Sequence, residues 1–418
     1  MPLIHVPNLR FEDELTGPLQ AQPAKLEQLT AELAALIALR ADPGDVVLVE
    51  HTGVPESAGL PDCLARARFL TLPELREQLR SAETDGATTH WQLAPWGWSD
   101  SMQRLLLSLR LSQTAPDLQA IRRVNTRAFA AEFDGMVSVD AERLECPFSR
   151  LCDSVRQVEV ALTELSDSAA DRWVIKANLS HAARNRLLGQ GRQLNPEQLA
   201  WLTRRLQRDE PVCVEPWVRR LRECGLQWTI SEDSGRLLVT FDGAAEMLTD
   251  TQGQYRGSLI GGIPGDPCWW QPAIEHGRRV AAAAGKLGFR GPLGIDCMLV
   301  EHAGRQWLRP AHDINGRQTM GRLALSLERR LPHGFYGAWC HIPTLAPGIE
   351  PDFSCNPPNS VVVAQRTGPA RMAGRLPGLQ TLLLSGSNSA LVTAAAMKLT
   401  HATVPVCTPS TLNPRMPS

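Results

Sequence analysis

The stretch G-P-L-G-I-D-C-M-L-V at residues 291–300 is followed closely by W-L-R-P-A-H-D-I-N-G-R at residues 307–317. The two runs predict two neighbouring β-strands. The first carries one carboxylate, Asp296, and the second presents Asp313 and Asn315 two residues apart. Alternate residues on a strand share a face. The pattern therefore predicts that three oxygen-bearing side chains converge, as in a site for a hard cation such as Mg²⁺.

The segment D-I-N-G has a second interpretation. Asp and Asn are depleted inside strands and favoured in turns, so the segment is equally typical of a turn after a short strand. Cys297 and His312 stand next to the carboxylates in the sequence. Strand alternation predicts that both face away from them, which favours core packing over ligation for Cys297.

A second motif is W-V-I-K-A-N-L-S-H-A-A-R-N-R at residues 173–186. An apolar run ending in Lys176 predicts a strand that presents one cation, and the Ser180, Arg184 and Arg186 that follow suit a polyanion. The alternative is a strand that ends in an exposed lysine and is followed by a solvated basic helix. The phosphate-binding pattern G-x-x-x-x-G-K-[ST] is absent from the sequence.

Residues 211–230, P-V-C-V-E-P-W-V-R-R-L-R-E-C-G-L-Q-W-T-I, predict two strands flanking a connector that contains Glu215 and Pro216. Main-chain groups of such a connector can bond the edge of a purine, and a carboxylate such as Glu223 can accept from ribose hydroxyls. A plain β-hairpin with surface carboxylates explains the pattern equally well.

The order of these motifs resembles that of the ATP-grasp superfamily, in which two small α+β lobes hold ATP between them. The lysine strand comes first, then the connector with acids, then Asp296 and the D-x-N pair. The resemblance covers residues 125–327, about half of the chain. It implies a multidomain protein with α/β and α+β parts, in which an N-terminal α/β domain precedes the ATP-grasp lobes and a small C-terminal extension follows.

The resemblance also implies roles for individual residues. Asp296, Asp313 and Asn315 resemble the ligands of Mg²⁺ or Mn²⁺, and Lys176 and Arg317 resemble the cations that act near the transferred phosphate. Residues 214–218 resemble the adenine-binding connector, and Ser180 with Arg184 resembles the phosphate loop. The implied ATP site consists of Lys176, Ser180, Arg184, Glu215, Trp217, Val218 and Glu223.

The chain departs from the family pattern at three positions. The phosphate loop of the family is usually rich in glycine, whereas residues 180–184 contain none. Asp313 stands where the family more often has Glu, which is longer by one methylene. Gly294 stands where the D-alanine ligase branch has an arginine, so a specific kinship to that branch is not supported.

Four units are expected: an N-terminal α/β domain at 1–120, the first ATP-grasp lobe at 121–213, the second lobe at 214–330, and a C-terminal extension with a tail at 331–418. The sequence predicts a helix over residues 26–39 and strands near residues 46–49 and 91–93. In the extension it predicts a strand over 360–366 and a helix over 389–398. The extension either covers the substrate side of the cleft or forms a contact in a homodimer.

Two further features have open roles. The segment P-W-G-W at residues 95–98 either lines a pocket or packs at a domain junction, because tryptophans bury large areas. Asn125 and Arg127 either cap a helix or bind a ligand.

Composition narrows the class of protein. A length of 418 residues fits two or three domains, and a net charge of -1 gives no electrostatic reason to expect a nucleic-acid partner. The N-terminus has no basic start with an apolar core, and no apolar run approaches the length of a membrane span. The ten cysteines are scattered without a C-x-x-C pair, as is typical of reduced structural thiols. We therefore expect a cytoplasmic protein without a membrane partner.

The expected activity is an ATP- and Mg²⁺-dependent ligase that activates a carboxylate as an acyl phosphate and forms a carbon–nitrogen bond with an amine. Its substrates would be small-molecule or peptide carboxylates and amines. Two alternatives are a non-catalytic nucleotide-binding regulator and an ATP-grasp kinase. The regulator is favoured by the loop without glycine and opposed by the presence of all three candidate metal ligands.

Overall fold

The computed structural model describes residues 1–50, 54–57, 60–84, 91–138, 143–144, 149–167, 172–179, 186–208, 210–250, 253–262, 270–302, 304–344, 362–372 and 374–400. These residues form three β-sheets, two of four strands and one of ten, with helices packed between and around them.

The N-terminal unit combines four short strands with helices. Its elements are β1 Leu3–Val6, α1 Phe11–Thr16, α2 Ala24–Ala34, a 3-10 helix Ala35–Arg40, β2 Val46–Leu48, β3 Arg68–Leu70, α3 Leu72–Thr84, β4 Gln92–Pro95 and α4 Asp100–Ser108. The strands are parallel in the order β3-β2-β1-β4, so the connections between them must cross over. Helices lie between β1 and β2 and between β3 and β4, whereas the described residues between β2 and β3 contain no helix. The predicted strands are confirmed as β2 and β4. The predicted helix over residues 26–39 is correct only in part, because its apolar second half is tightened into the buried 3-10 helix.

A short connecting region leads to the second sheet. It contains α5 Leu118–Val124, α6 Arg127–Ala131, β5 Met136–Ser138 and β6 Arg143–Leu144. Asp117 and Thr126 cap the two helices, since their side chains accept hydrogen bonds from main-chain N–H groups of the first turn.

The second sheet is antiparallel in the order β7-β10-β8-β9. Its elements are β7 Arg150–Cys152, α7 Val155–Asp167, β8 Arg172–Ala177, β9 Arg186–Gln190, α8 Pro196–Leu206 and β10 Val212–Pro216. A capping box between Asn195 and Gln198, with Pro196 in the first turn, starts α8. This sheet has its own apolar core, which includes Val158 and Ile175.

The third sheet contains both strands predicted from residues 291–300 and 307–317. The remaining elements are β11 Arg219–Asp233, β12 Arg236–Thr249, β13 Tyr255–Ile260, α9 Trp270–Lys286, β14 Gly291–His302, β15 Arg305–Asn315, α10 Met320–Glu328, β16 Tyr336–Pro343, β17 Val363–Arg366, β18 Leu379–Gly386 and α11 Ser389–Thr400. The strand order is β17-β18-β16-β13-β12-β11-β14-β15-β5-β6. Ser234 and Gly235, both with positive φ, form the tight turn between β11 and β12.

The C-terminal region continues this third sheet. β16 pairs with β13 and with β18, and β17 pairs with β18. The predicted strand over residues 360–366 is found as β17, which begins at Val363, and the predicted helix is found as α11. The extension therefore adds strands to the sheet that carries Asp296, and the predicted tail from residue 404 lies outside the described residues.

The N-terminal unit and the third sheet share one apolar core. Ile4 and Val46 of the first sheet belong to the same buried cluster as Leu226 and Ile295 of the third. Within the described part of the chain, no helix is both long and apolar enough to cross a membrane.

Candidate active site

Asp296, Asp313 and Asn315 lie together in the ten-stranded sheet. In the register of β14 and β15, Asp296 is opposite Asp313 and Gly294 is opposite Asn315. The Asn315 Nδ2 atom donates a 3.2 Å hydrogen bond to Asp296 Oδ2. Of the two interpretations of D-I-N-G, the strand is correct as far as Asn315. Cys297 is buried in the core, as alternation predicts.

The two facing carboxylates repel each other. Burial, together with the Asp313 carboxylate, raises the pKa of Asp296 to about 7, against the nearby cations Arg317 and Arg127. Both causes disfavour the ionised form of Asp296, and positive charge placed near the pair would favour it. A cation that bound both carboxylates would relieve the repulsion.

The donor set suits a hard divalent cation. Two carboxylates and one amide oxygen are ligands that Mg²⁺ prefers, and this ion usually keeps several waters. Gly225 leaves space beside them, since a Cβ there would lie 3.6 Å from Asp296 Oδ1. Among the residues that the structure describes, no three Asp, Glu, His or Cys side chains form a metal-binding group, so the Asn315 amide would be the third protein ligand. The residues fit Mg²⁺ or Mn²⁺ with the remaining positions left to water and substrate.

Asn125 and Arg127 both contact the D-I-N-G segment. Arg127 is buried, with its Nη1 atom 2.5 Å from Asp313 Oδ1. Asn125 Oδ1 accepts a 2.9 Å hydrogen bond from the main-chain N–H of Gly316, while its Nδ2 donates to Ile121 O at 2.8 Å. Asn125 therefore ends α5 and also braces Gly316. Arg127 is therefore a third candidate cation of the site, besides Lys176 and Arg317, and it lies beside Asp313.

Arg317 is held by the N-terminal unit. Its Nε atom contacts the Glu12 carboxylate of α1, and its guanidinium lies 5.7 Å from the centre of the Trp96 ring. Its Nη2 atom donates a 3.0 Å hydrogen bond to Asn315 Oδ1. If this oxygen bound a cation, the hydrogen bond would have to break. Trp96 O also accepts from the main-chain N–H of Gln318 at 2.8 Å. The P-W-G-W segment thus packs at a junction and supports Arg317.

Lys176 lies in a buried network of charges. Its Nζ atom donates a 2.9 Å hydrogen bond to Glu215, which also accepts from Arg309 Nη1 at 2.9 Å. Arg309 is 2% exposed and donates through Nε and Nη2 to Asp134 at 2.7 and 2.6 Å, and through Nη2 to Ser149 at 2.9 Å. The network joins the second sheet to the third.

Glu215 is the central anion of that network. Burial alone would raise its pKa, but the cations of Lys176, Arg309 and Arg127 hold the pKa well below its ordinary value. The sequence suggested that Glu215 contacts the nucleotide. In the structure its carboxylate already has two cationic partners, and it holds Lys176 in position.

The predicted adenine-binding connector, residues 214–218, is a connector only in part. Glu215 and Pro216 belong to β10, and only Trp217 and Val218 lie between β10 and β11. Trp217 donates a 2.8 Å main-chain hydrogen bond to Arg172 O, and the guanidinium of Arg220 lies 5.4 Å from the centre of its ring. Val218 packs against a small apolar cluster on β14 and β15. Glu223 is buried and accepts 2.9 Å hydrogen bonds from Arg220 and from Thr249. A ribose at Glu223 would compete with those two donors.

Ser180 and Arg184, the predicted phosphate loop, lie outside the described residues. Asn178 lies just before them, and its main-chain O accepts a 2.8 Å hydrogen bond from Arg127 N. Its Oδ1 atom accepts from Ala128 N at 3.0 Å. Asn178 therefore lies beside the start of α6, which also carries Arg127.

His312 lies among the charged groups next to the carboxylates. Burial, and then the cations of Arg309 and Lys176, lower its pKa well below its ordinary value, so the ring is neutral. Both ring nitrogens are buried and have no hydrogen-bond partner among the described residues. A bulge in the pairing between Asp296 and Met298 of β14 interrupts strand alternation at this point.

Comparison with solved structures shows similarity along nearly the whole chain. Biotin carboxylase from Campylobacter jejuni, in a complex with beta-gamma-ATP, has a TM-score of 0.53 at 10% identity, and the match covers 96% of this chain and 92% of that one. N5-carboxyaminoimidazole ribonucleotide synthetase from Thermus thermophilus has a TM-score of 0.51 at 16% identity, with 96% and 98% covered. No protein-family model and no curated protein matches the sequence. Both enzymes are ATP-grasp proteins.

This chain has the ATP-grasp fold. The predicted fold class is thereby confirmed, with a parallel N-terminal sheet followed by antiparallel sheets. In this fold Asp296, Asp313 and Asn315 lie on the third sheet and Lys176 lies on the second, and the ion pair between Arg309 and Glu215 joins the two sheets.

Four residues of the site were missed or left undecided by sequence reasoning: Glu12, Arg127, Asp134 and Arg309. For Arg309 there was a signal, because an arginine inside the apolar run W-L-R-P has to find a partner when the strand is buried. The sequence contained no signal for Glu12, because its partner Arg317 lies 305 positions away.

Proposed function

We propose that this protein is an ATP- and Mg²⁺-dependent ligase that activates a carboxylate as an acyl phosphate for attack by an amine. One observation carries the proposal. In an ATP-grasp fold, Asp296, Asp313 and Asn315 converge, and the cations Arg127 and Arg317 contact that same group of side chains.

The chemistry requires that negative charge be neutralised while phosphate moves. A carboxylate oxygen of the acid attacks the γ-phosphorus of ATP, and ADP leaves. The nitrogen of the amine then attacks the acyl carbon, loses a proton, and inorganic phosphate leaves. Such transfer depends mainly on positioning and electrostatic stabilisation rather than on a covalent nucleophile of the protein.

Different residues of the chain would have different roles in this reaction. Asp296, Asp313 and Asn315 would hold Mg²⁺, which supplies positive charge for the phosphates when bound. Lys176, fixed by Glu215, would bind phosphate oxygens as a point charge. Arg317, fixed by Glu12 and stacked on Trp96, would present its planar fork to the acyl phosphate. The main chain of residues 214–218 would bind adenine, with Glu223 at the ribose.

The first experiment is calorimetric titration of the purified protein with a non-hydrolysable ATP analogue, with and without Mg²⁺. We expect Mg²⁺-dependent binding in the wild type and its loss in the double variant Asp296→Asn, Asn315→Ala. Glu301→Gln is the matched control, because this carboxylate is on the same strand but lies at the surface, paired with Arg219. Nucleotide binding that ignores Mg²⁺, or that survives in the double variant, would contradict the metal assignment.

Product analysis then identifies the reaction. A ligase yields ADP, phosphate and a new amide when acids and amines are supplied together. ADP with a stable phosphoester would identify a kinase, and nucleotide binding without any ADP release would identify a regulator. The double variant should release no ADP, and unchanged ADP release there would reject the proposed site.

A further inference from the structure

A second group of charged residues lies between the N-terminal unit and α10. Arg40 ends the 3-10 helix, Arg322 lies in the first turn of α10, and Arg329 follows the end of α10. The 3-10 helix packs directly on α10. None of these residues belongs to the proposed ATP site.

Arg322 is fully buried, at 2% exposure. Its Nη1 atom donates to Asp242 Oδ2 at 2.7 Å and its Nη2 atom donates to the main-chain O of Trp228 at 2.5 Å. Thr229 Oγ1 donates to the same Asp242 oxygen at 2.7 Å. The Nε atom of Arg322 is buried and has no hydrogen-bond partner in the described part of the chain.

Arg40 is only partly buried, but it shares one feature with Arg322. Its Nε atom is also buried and without a partner among the described residues. Burial, and then the charges of Arg322 and Arg329, lower the pKa of Arg40 to about 10, while Asp242 and Asp42 act in the opposite direction. The packing of the 3-10 helix on α10 thus brings Arg40 under the influence of Arg322, and the two arginines act on Arg40 more strongly than the two carboxylates.

An unpaired buried charge is costly unless a partner neutralises it. Water could accept the two Nε–H hydrogen bonds, but it brings no negative charge and leaves the repulsion between the guanidinium groups in place. An oxyanion would satisfy both requirements, since arginine binds carboxylate and phosphate oxygens with charge-assisted hydrogen bonds.

We propose that Arg40 and Arg322, with Arg329 at the rim, form a binding site for a small oxyanion of the phosphate, sulfate or carboxylate class. The site is separate from the ATP cleft but connected to it through α10. Thr319, which caps α10 by accepting from Arg322 N, donates to Gln227, and a Cβ on Gly294 beside Asn315 would meet the Thr319 side chain at 2.6 Å. A bound oxyanion would hold the N-terminal unit against the helix that packs behind the carboxylates.

The test is thermal unfolding in chloride buffer at fixed ionic strength, with inorganic phosphate, sulfate or acetate replacing chloride. A ligand that binds only the folded state raises the midpoint temperature in a saturable manner. We expect such a rise in the wild type with at least one of the three anions, and the one that acts identifies the ligand class. Arg40→Gln should lose the rise, and in chloride alone it should unfold at the same or a higher temperature, because a repelled buried cation is gone.

Three further variants make the result specific. Arg104→Gln, at an exposed arginine of α4, should keep the full rise. Lys176→Ala should also keep the rise. If phosphate stabilised the protein by binding in the ATP cleft, the rise would be lost in Lys176→Ala and kept in Arg40→Gln. Arg329→Gln, at an exposed position, should shift the rise to higher anion concentration without disturbing the fold. The proposal is overturned if no oxyanion raises the midpoint, or if Arg40→Gln keeps the rise.

Discussion

Asp296 and Glu215 are two buried carboxylates with opposite pKa shifts. Burial, and then the Asp313 carboxylate across the strand pair, raise the pKa of Asp296 to about 7. Glu215 has Lys176 and Arg309 within hydrogen-bond distance, so its pKa is depressed. One carboxylate is thus left ready to receive a cation, while the other is permanently ionised and fixes cations of the protein.

The shift at Asp296 predicts how stability depends on pH in metal-free buffer. The folded state keeps a proton that the unfolded state loses above the ordinary value of 3.8. The free energy of unfolding therefore falls as pH rises from about 4 to about 7 and is lowest above that range. Asp296→Asn removes this titration, so we expect the stability of the variant relative to the wild type to increase between about pH 5 and about pH 8.

Urea unfolding at about pH 5 and about pH 8, with a chelator present, measures the free energy of unfolding of Asp296→Asn and of the wild type. Glu301→Gln serves as the control, since this surface carboxylate of the same strand is ion-paired with Arg219. An identical difference between Asp296→Asn and wild type at the two pH values would show that Asp296 titrates in its ordinary range.

Lys176→Ala should weaken binding of the ATP analogue. A charge-assisted hydrogen bond is worth about 1.5–3 kcal/mol, which corresponds to roughly 10- to 100-fold in affinity. Glu215 keeps Arg309 as a partner in the variant, so the fold should persist. Calorimetric titration gives the affinity, and equal affinities for variant and wild type would show that Lys176 does not contact the nucleotide.

At the residue scale, the sequence was informative where spacing along one strand pair was sufficient. Asp296, Asp313 and Asn315 could be placed together from alternation and from the proximity of their strands. The contacts of Arg127 with Asp313 and of Glu12 with Arg317 join parts of the chain that only the tertiary fold brings together. No local pattern encodes them.

The elements of the second sheet depend on one close approach between β8 and β9. Gly189 is opposite Trp173, and a Cβ at Gly189 would lie 2.1 Å from the Trp173 ring. Trp173 is fully buried and its Nε1 atom donates to Gly191 O at 2.8 Å, so the ring cannot move without breaking this hydrogen bond. Only glycine fits at this position.

Gly189→Ala should therefore destabilise the protein by about 1–3 kcal/mol, the usual effect of overpacking a core. Leu188→Ala on the same strand is the control, because Leu188 is 41% exposed and should cost less than about 0.5 kcal/mol. Denaturant unfolding compares the two, and equal losses would show that Trp173 repacks freely.

At the element scale, sequence reasoning failed where packing overrides local pattern. The apolar periodicity of residues 26–39 predicted one helix, but residues 35–40 form a 3-10 helix whose first five residues are all buried. Alternation along β15 is interrupted by a bulge between Arg309 and Asp313, and a bulge leaves no mark on hydrophobic periodicity. The directions of residues on either side of it could not be read from the sequence.

At the scale of the whole molecule, Arg309 connects two bodies with separate cores. It lies on β15 of the third sheet and bonds Glu215 on β10 of the second sheet and Asp134 ahead of β5. The second sheet is packed on its own apolar cluster, whereas the N-terminal unit and the third sheet share another. This buried network is thus one of the links between the two cores.

Arg309→Met should destabilise the protein by about 3–5 kcal/mol, because Asp134 then stays buried without Arg309 and Glu215 keeps only Lys176 as a hydrogen-bonded cation. Arg305→Gln, at an exposed position of the same strand, should have little effect. Denaturant unfolding measures both, and a loss below about 1 kcal/mol for Arg309→Met would show that the two carboxylates find other partners.

The path of the chain through the third sheet limits how this protein can be divided. A fragment that stopped near residue 331 would contain every proposed ligand of the metal, yet it would leave β13 as a bare edge, with the N–H and C=O groups that normally pair with β16 unsatisfied. Edges of this kind recruit other strands. Such a fragment would tend to self-associate, and gene fusions or truncations that preserve a soluble product should keep the last three strands.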